Sequence, residues 1–269
     1  AVVGDGMAGL AGVASRFFGA LGNAGINVLA IAQGSSERNI SAVIARKDAT
    51  RALRAAHAGF YLSTETISVG IVGPGNVGAT LLDQMAAQAT HLQQDFNLDF
   101  RVRGIATSSR MVLAERMIDL GNWRESLSSN SESLDWNRFV AHINVDHLPH
   151  SIMVDCTASD EVSAQYVDWF EQGIHVVTPN KKGQSSTLEH YDQIQVACRD
   201  NNVHFLYEPS VGAALPMIQT LRDLRETGDE VVSIEGILSG TLAYLFNVFD
   251  GTQSFSTLVC KARDNGYTE

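Results

Sequence analysis

The chain has 269 residues, 45% of them hydrophobic, and a formal net charge of −11 at pH 7. A chain of this length and composition can bury one or two hydrophobic cores. Its acidic balance argues against nucleic acid or an anionic membrane surface as a partner. No apolar run reaches the roughly 18 residues that a membrane-spanning helix needs, and no segment resembles a secretion signal. We therefore expect a cytoplasmic protein, and the three widely spaced cysteines predict reduced thiols rather than disulfides.

The first predicted domain, residues 1–66, has the order β-α-β-β-α-β of a ferredoxin-like unit. Hydrophobic spacing places its strands at residues 2–3, 26–32, 40–45 and 60–62, and its helices at residues 13–21 and 48–57. The short polar segment 63–66 is the expected boundary to the next domain.

The second predicted domain, residues 67–206, alternates strands with helices, as a parallel α/β sheet requires. Strands are expected at residues 67–72, 100–106, 152–155, 175–178 and 204–207, and helices near 79–94, 160–172 and 187–200. The polar, serine-rich stretch 122–134 is expected to be a loop. From 207 to 269 a turn, a helix near 214–227 and a strand near 231–238 indicate the start of a third domain.

The most informative motif is the glycine-rich turn between the first strand and the first helix of the second domain. Gly73, Gly75 and Gly78 stand at G-x-G-x-x-G spacing. Gly73 allows a tight turn, Gly75 lets backbone approach a pyrophosphate, and Gly78 lets the helix pack close to the strand. The helix N-terminus favours the negative charge of the phosphates. This context favours dinucleotide binding over a structural glycine turn.

The second strand of this domain ends without a carboxylate. A fold that prefers NAD usually places Asp or Glu there, on the ribose hydroxyls. Here Ser108, Ser109 and Arg110 follow instead, and hydroxyls with an arginine suit a 2′-phosphate. We expect NADP as the cofactor, with NAD as the alternative; the other reading of Arg110 is a solvated loop arginine.

Polar residues also follow the third and fourth strands, at the edge where parallel sheets bind ligands. Thr157 and Ser159 can bind cofactor or simply cap the next helix. Lys181 can act on a polar substrate or remain a surface lysine. Further along, Glu208 with the turn at 211–216 is a possible hard-cation site or an ordinary glycine turn.

Six motifs in order resemble homoserine dehydrogenase. They are GPGNVG (73–78), TAS (157–159), TPNKK (178–182), VGAALP (211–216), GILSGTL (236–242) and GYTE (266–269). The segment IAQGSSE (31–37) resembles the second regulatory ACT unit of bacterial, threonine-sensitive bifunctional aspartokinase–homoserine dehydrogenases. The expected fold class is α/β: a ferredoxin-like ACT unit, a Rossmann-type parallel sheet and the start of an α+β substrate domain.

The resemblance implies NAD(P)H-dependent interconversion of L-aspartate 4-semialdehyde and L-homoserine, with threonine as effector. Because an isolated ACT unit exposes a sheet edge and apolar surface, we also expect a homo-oligomer. By motif match the resemblance assigns the cofactor to Gly73, Gly75, Asn76, Val77 and Gly78, with Thr157 and Lys181 on the nicotinamide side. From their positions after the strands we add Ser108, Arg110 and Ser159 as cofactor residues, and we expect Lys181 to be catalytic as well. The resemblance assigns a monovalent cation such as Na⁺ to Glu208, Val211, Ala213 and Leu215. It assigns the substrate to Gly240, Thr241, Tyr267 and Glu269, and the effector to Gln33.

The sequence departs from the family pattern in two places. The family turn usually has glycine where Ala214 stands; if that position needs positive φ, alanine costs about 1 kcal/mol or more. The family's Asp-rich motif and main catalytic lysine lie beyond Glu269, and both ends of the chain look cut. We therefore expect NADPH binding with little turnover from this chain. The alternatives are an amino-acid-binding regulatory fragment without turnover, or another NADP oxidoreductase.

Overall fold

The computed structural model describes residues 1–61, 65–145, 148–213 and 215–268, with the side chains of Asn23, Ala58, Tyr61 and Glu65 left out. The chain divides into two compact units. The first comprises residues 1–154 with 172–175, and the second comprises residues 155–171 with 176–269.

The N-terminal segment forms a small sheet covered by two helices. Its elements are β1 (Val2–Val3), α1 (Val13–Asn23), β2 (Val28–Gln33), β3 (Asn39–Ile44) and α2 (Ala49–Tyr61). The strands pair antiparallel in the order β1-β3-β2, so β2 is an edge strand. Its buried core consists of Val13, Phe17, Leu21, Ile26, Ile40 and Ala52. The predicted order is confirmed from β1 through the second helix.

The strand predicted at 60–62 is wrong for Phe60 and Tyr61, which end α2. Ala52, Ala56 and Phe60 recur every fourth residue and pack on the same core, which is helical spacing. The apolar residues Phe60 and Tyr61 at the end of this helix therefore resembled the start of a strand. Leu62, the last residue of that predicted strand, lies outside the described residues.

The central part of the chain alternates strands and helices around one sheet. Its first half contains β4 (Glu65–Val72), α3 (Asn76–Asp95), β5 (Leu98–Ala106), β6 (Arg110–Leu113), α4 (Trp123–Ser129), β7 (Glu132–Ser133) and α5 (Trp136–Ile143). Its second half contains β8 (His150–Asp155), α6 (Asp160–Ser163), α7 (Tyr166–Glu171), β9 (His175–Val177), α8 (Lys182–Ser185), α9 (Leu188–Asp200) and β10 (Phe205–Leu206).

The strand order of this sheet is β10-β9-β8-β4-β5-β6-β7. β4 pairs parallel with β5, and β9 pairs parallel with β10, whereas β6 and β7 add antiparallel at one edge. The order of the parallel strands along the chain reverses at β4, which is the topology of a doubly wound nucleotide-binding sheet. The predicted Rossmann-type sheet is confirmed.

Two paired glycines let helix α5 lie close to the sheet. Gly70 of β4 is opposite Gly104 of β5. A Cβ at Gly70 would stand 2.7 Å from Met153 Sδ and 2.9 Å from Ile143 Cγ1, and one at Gly104 would stand 2.7 Å from Phe139 Cε2. Because Phe139 and Ile143 are fully buried, there is no room for a side chain at position 70 or at position 104.

The loop predicted at 122–134 is wrong, because α4 and β7 occupy most of it. α4 is held by Trp123, which is buried and donates from its indole nitrogen to Asp83 at 3.0 Å. Arg124 adds two bonds from its guanidinium to the same carboxylate. The serines of this stretch, at positions 126, 128, 129, 131 and 133, are exposed or half-buried. The bonds of Trp123 and Arg124 to Asp83 thus hold in place a helix whose polar composition indicates a loop.

In the described residues after β10, the regular elements of more than one turn are helices joined by irregular segments. These helices are α10 (Met217–Glu226), α11 (Gly240–Val248) and α12 (Phe255–Asp264). The strand predicted at 231–238 is wrong: every one of these residues is described, none pairs with another strand, and Val232 is 93% exposed. An apolar run alone does not make a strand without a partner edge. In the described ranges, no helix has the length and apolar character that crossing a bilayer requires.

Candidate cofactor and substrate site

The glycine-rich turn follows β4 directly and begins with a left-handed residue. Gly73 has φ 81°, a conformation that costs a residue with a Cβ about 1 kcal/mol or more. Its N–H donates to the carbonyl of Ala106 at the end of β5, 2.8 Å away. The turn is therefore fixed to the neighbouring strand before helix α3 begins.

Gly75 stands at the start of α3 with open space beside it. A Cβ built there has no heavy atom within 4 Å, and its φ of −77° is accessible to any residue. Asn76 and Val77 are exposed, and no side chain caps the helix start. Gly78 is buried, as a close helix–strand contact requires. The start of α3 is thus open and uncapped, as binding of a pyrophosphate there requires, and a side chain at Gly75 would project into this open space.

Ser108 and Arg110 lie on the turn that joins β5 to β6. Thr107 closes this turn, because its Oγ1 accepts the N–H groups of Ser109 and Arg110 at 3.4 and 3.0 Å. The Arg110 guanidinium donates to the carbonyl of Ser131 at 2.7 Å. A guanidinium has five N–H donors, so this anchor orients Arg110 and leaves donors for a phosphate. Ser108 is exposed on the same turn.

A buried carboxylate that the sequence interpretation missed lies at the end of β8. Asp155 is fully buried. Its Oδ1 accepts the N–H of Thr157 at 2.8 Å, and its Oδ2 accepts the Tyr166 hydroxyl at 2.5 Å and the Asn180 side-chain amide at 2.9 Å. All three donors are neutral, and among the described residues Asp155 has no ion pair.

Thr178 and Asn180 join the end of β9 to the end of β8. Thr178 Oγ1 donates to the Asp155 carbonyl at 2.7 Å and accepts the N–H of Asn180 at 2.8 Å. The Asn180 amide also donates to the carbonyl of Ser159 at 3.0 Å, and its oxygen accepts the N–H of Lys182 at 3.1 Å. Both side chains are almost completely buried, so this polar network is closed and fixed.

The predicted residues Thr157, Ser159 and Lys181 lie around this network. Thr157 Oγ1 accepts the N–H of Ser159 at 3.1 Å. Ser159 Oγ accepts the N–H of Val162 at 3.4 Å, so Ser159 caps α6, which was its alternative interpretation. Lys181 is exposed immediately before α8. The structure thus brings Thr157, Ser159 and the turn that carries Lys181 together.

Burial keeps two titratable groups of this region protonated. Burial, and next the charge of Asp155, raise the pKa of the Tyr166 hydroxyl far above its ordinary value. The same two causes raise the pKa of the Cys156 thiol to about 11. Tyr166 is therefore a hydrogen-bond donor rather than a base, and Cys156 is an inert thiol rather than a nucleophile at neutral pH.

Glu208, predicted as a cation ligand, caps a helix. Its two carboxylate oxygens accept the N–H groups of Ile218 and Gln219, at 2.9 and 2.8 Å, at the start of α10. This arrangement satisfies two amides at the positive end of the helix. A cation at this turn would therefore depend on main-chain carbonyls more than on this carboxylate.

The other predicted cation residues, Val211, Ala213 and Leu215, lie on the turn between Glu208 and α10. Within this turn, Ala213 is a non-glycine residue with a left-handed backbone, with φ 50°. The expected strain at Ala214 stays a prediction, because Ala214 lies outside the described residues. No cluster of three His, Cys, Asp or Glu side chains suited to a metal occurs in the described part of the chain.

The predicted substrate residues Thr241 and Tyr267 lie together. Thr241 Oγ1 donates to the Tyr267 carbonyl at 2.5 Å, and the ring of Tyr267 packs on Tyr244 with centroids 4.8 Å apart. Gly240 is exposed beside them at the start of α11. Glu269 lies outside the described residues. The predicted effector residue Gln33 is exposed at the end of β2.

Comparison with protein families decides the relationship. Residues 73–208, about half of the chain, match the model described as the NAD-binding domain of homoserine dehydrogenase. The chain belongs to the homoserine dehydrogenase family. Residues 216–269 match a second model described as homoserine dehydrogenase, and residues 1–60 match an ACT domain. The predicted resemblance and the ACT unit are confirmed, and the NAD-binding domain indicates a nicotinamide cofactor.

Curated relatives include longer bifunctional proteins. The chloroplastic bifunctional aspartokinase/homoserine dehydrogenase 1 of Arabidopsis thaliana is 51% identical over the whole chain, which spans 30% of that protein. The bifunctional aspartokinase/homoserine dehydrogenase of Haemophilus influenzae is 39% identical over the whole chain, which spans 33% of it. The chain thus spans about a third of the length of these relatives.

A solved structure supports the fold. A hyperthermophilic archaeal homoserine dehydrogenase mutant in complex with NADPH superposes with a TM-score of 0.61 at 22% identity. The match covers 76% of this chain and 62% of the archaeal chain. At this identity the likeness establishes a shared fold, which includes the doubly wound sheet.

Proposed function

We propose that this chain is the ACT and cofactor-binding part of a homoserine dehydrogenase that reduces L-aspartate 4-semialdehyde to L-homoserine with NADPH. The observation that carries the proposal is the match of residues 73–208 to the family's NAD-binding domain. The uncapped start of α3 after the left-handed Gly73 is compatible with it. The relatives' printed names further suggest an aspartokinase on the same polypeptide.

The proposal assigns each group of residues a task. The turn at 73–78 would hold the pyrophosphate through backbone N–H groups, and Arg110 with Ser108 would hold a 2′-phosphate. Thr157 and Lys181 would lie on the nicotinamide side, and Ser159 would fix the backbone around Thr157. When bound, the reduced cofactor supplies the hydride. Lys181 would donate a hydrogen bond to the substrate oxygen as it gains negative charge.

The experiment is an assay of NADPH oxidation by the full-length gene product. We expect oxidation to require L-aspartate 4-semialdehyde and to decrease when threonine is added. Oxidation without this aldehyde would indicate another oxidoreductase. Threonine binding without any oxidation would instead favour a regulatory protein. A variant with Gly75→Val serves as the control, because it removes the proposed cofactor cradle.

We expect Arg110→Ala to weaken NADPH binding about tenfold and NADH binding less than twofold. A charge-assisted contact is worth about 1.5–3 kcal/mol, and only NADPH has the phosphate. Affinities for both cofactors are measured by fluorescence titration. Arg138→Ala is the matched control, because this exposed arginine bonds Glu132 rather than the β5–β6 turn. Equal losses for NADH and NADPH would contradict a 2′-phosphate contact.

The N-terminal unit is proposed to bind threonine near Gln33. Gln33 leads into a loop that contacts the loop after β1: the N–H of Gly9 donates to Glu37 Oε2 at 2.8 Å, and the N–H of Gly4 donates to the Arg38 carbonyl at 3.1 Å. The edge strand β2 is exposed from residue 29 to 33. An exposed edge favours pairing with a second copy, so we propose a homo-oligomer.

We also propose a cation site, two domain boundaries, a set of substrate residues and a location. Main-chain carbonyls of Val211, Ala213 and Leu215 would hold a monovalent cation. Domain boundaries near residues 66 and 206 would separate the ACT unit, the cofactor domain and the substrate domain. In the substrate domain, the substrate would be held by Gly240, Thr241, Tyr267 and Glu269. A cytoplasmic location is also proposed, although the plant relative is named as chloroplastic.

A further inference from the structure

We propose that Asp155 is a positioning residue for the nicotinamide end of the cofactor, acting through Thr157 and the turn that carries Lys181. The inference rests on the proposed function, in which Thr157 and Lys181 lie on the nicotinamide side. It deepens that function by naming the group that holds both segments in place.

The first step is the hydrogen bonding of the carboxylate. Asp155 is fully buried, and each of its oxygens is used. One oxygen accepts the N–H of Thr157, and the other accepts Tyr166 and Asn180. A buried carboxylate is costly unless donors surround it. Moving any of the three donors away would leave the buried carboxylate short of a hydrogen bond, so the donors are held in place.

The second step is the link to Lys181. Asn180, which precedes Lys181, bonds Asp155 through its side chain and accepts the N–H of Lys182. Its backbone N–H is held by Thr178, which itself donates to the Asp155 carbonyl. The backbone on both sides of Lys181 is thus linked to Asp155, to its carboxylate through the Asn180 side chain and to its main-chain carbonyl through Thr178.

The third step is packing from the opposite side. A Cβ at Gly183 would stand 2.8 Å from Cε2 of the Tyr166 ring. Glycine at this position of α8 therefore lets the turn approach the ring whose hydroxyl binds Asp155. The turn is held by a hydrogen bond at Asn180 and by ring contact at Gly183, with Lys181 between them.

The test is Asp155→Asn in this chain. Asparagine keeps the shape, but only one of its terminal atoms accepts a hydrogen bond. Either Thr157 loses its acceptor, or Asn180 and Tyr166 both lose theirs. Tyr166→Phe is the second variant; it removes one donor and keeps the ring against Gly183. Ser163→Ala is the matched control, because Ser163 is buried nearby but donates only to the Asp160 carbonyl.

Two ligands separate positioning from a general structural role. NADPH contains the nicotinamide ring, and 2′-phospho-ADP-ribose lacks it. We expect Asp155→Asn to weaken NADPH binding by about tenfold and to change binding of the fragment less than twofold, with a smaller NADPH effect in Tyr166→Phe. Equal weakening of both ligands, or none, would overturn the proposal.

Hydrogen exchange by mass spectrometry tests the same idea without a ligand. In Asp155→Asn, peptides covering 155–160 and 178–185 should exchange about tenfold faster, while the Ser163→Ala control matches the unmodified chain. Unchanged exchange in a folded Asp155→Asn variant would contradict the proposal. If the unmodified chain binds neither ligand, the proposed function fails and the positioning role fails with it; faster exchange would then show only that Asp155 holds the two segments in place.

Discussion

Replacing Gly75 with valine is expected to weaken NADPH binding roughly 100-fold while the protein stays folded. The Cβ of the new side chain has no clash with the rest of the protein, because no heavy atom other than those of its chain neighbours lies within 4 Å of it. It would instead occupy the space where a pyrophosphate meets the start of α3. Losing one or two charge-assisted hydrogen bonds, each worth about 1.5–3 kcal/mol, predicts roughly 100-fold weaker binding.

Binding is measured by fluorescence titration, and folding by thermal denaturation followed by circular dichroism. Gly19→Val is the matched control, because Gly19 of α1 also has open space around its Cβ. This control should bind NADPH normally. Unchanged affinity in a folded Gly75→Val protein would show that the turn at 73–78 is structural only.

Replacing Gly104 with valine is expected to lower the free energy of unfolding by roughly 3 kcal/mol, the upper part of the range for overpacked cores. Its Cβ would stand 2.7 Å from Phe139 Cε2 and 3.1 Å from Ile143 Cδ1. Neither neighbour has solvent to move into, so α5 must move away from the sheet. The good strand propensity of valine, worth about 1 kcal/mol, does not offset this clash.

Urea denaturation measures this loss, and a second substitution tests its cause. Phe139→Leu removes the atoms that the new side chain meets, so adding it to Gly104→Val should restore part of the stability. The two substitutions should therefore couple by about 1 kcal/mol or more. Additive losses would mean that the valine acts through something other than Phe139.

The elements that the sequence predicted are those specified locally. The turn at 73–78 is recognisable because strand, glycines and helix follow one another within a dozen residues. Gly73 has the positive φ, and Gly78 the burial, that this motif requires. The strands β4 and β8 were also predictable, because each contains a short apolar run, whereas β5 carries Arg101 and Arg103 between its apolar residues.

The elements that the sequence missed depend on distant partners. Trp123 gives α4 its anchor, but the acceptor is Asp83, forty residues earlier. Asp155 is the centre of a hydrogen-bond network only because the fold brings Tyr166 and Asn180, distant in the sequence, within hydrogen-bond distance of it. A signal existed, since Asp155 and Thr178 are polar residues that end apolar strands. The region 231–238 shows the converse, because its apolar pattern found no strand to pair with.

The two bonds of Glu208 to α10 affect how mutations there must be interpreted. Glu208→Gln replaces one of the two acceptors with a donor that faces an amide of Ile218 or Gln219. The change would loosen the first turn of α10 whether or not an ion binds nearby. Lost activity in that variant would therefore report how the helix begins, and ion binding would have to be followed by titrating the salt itself.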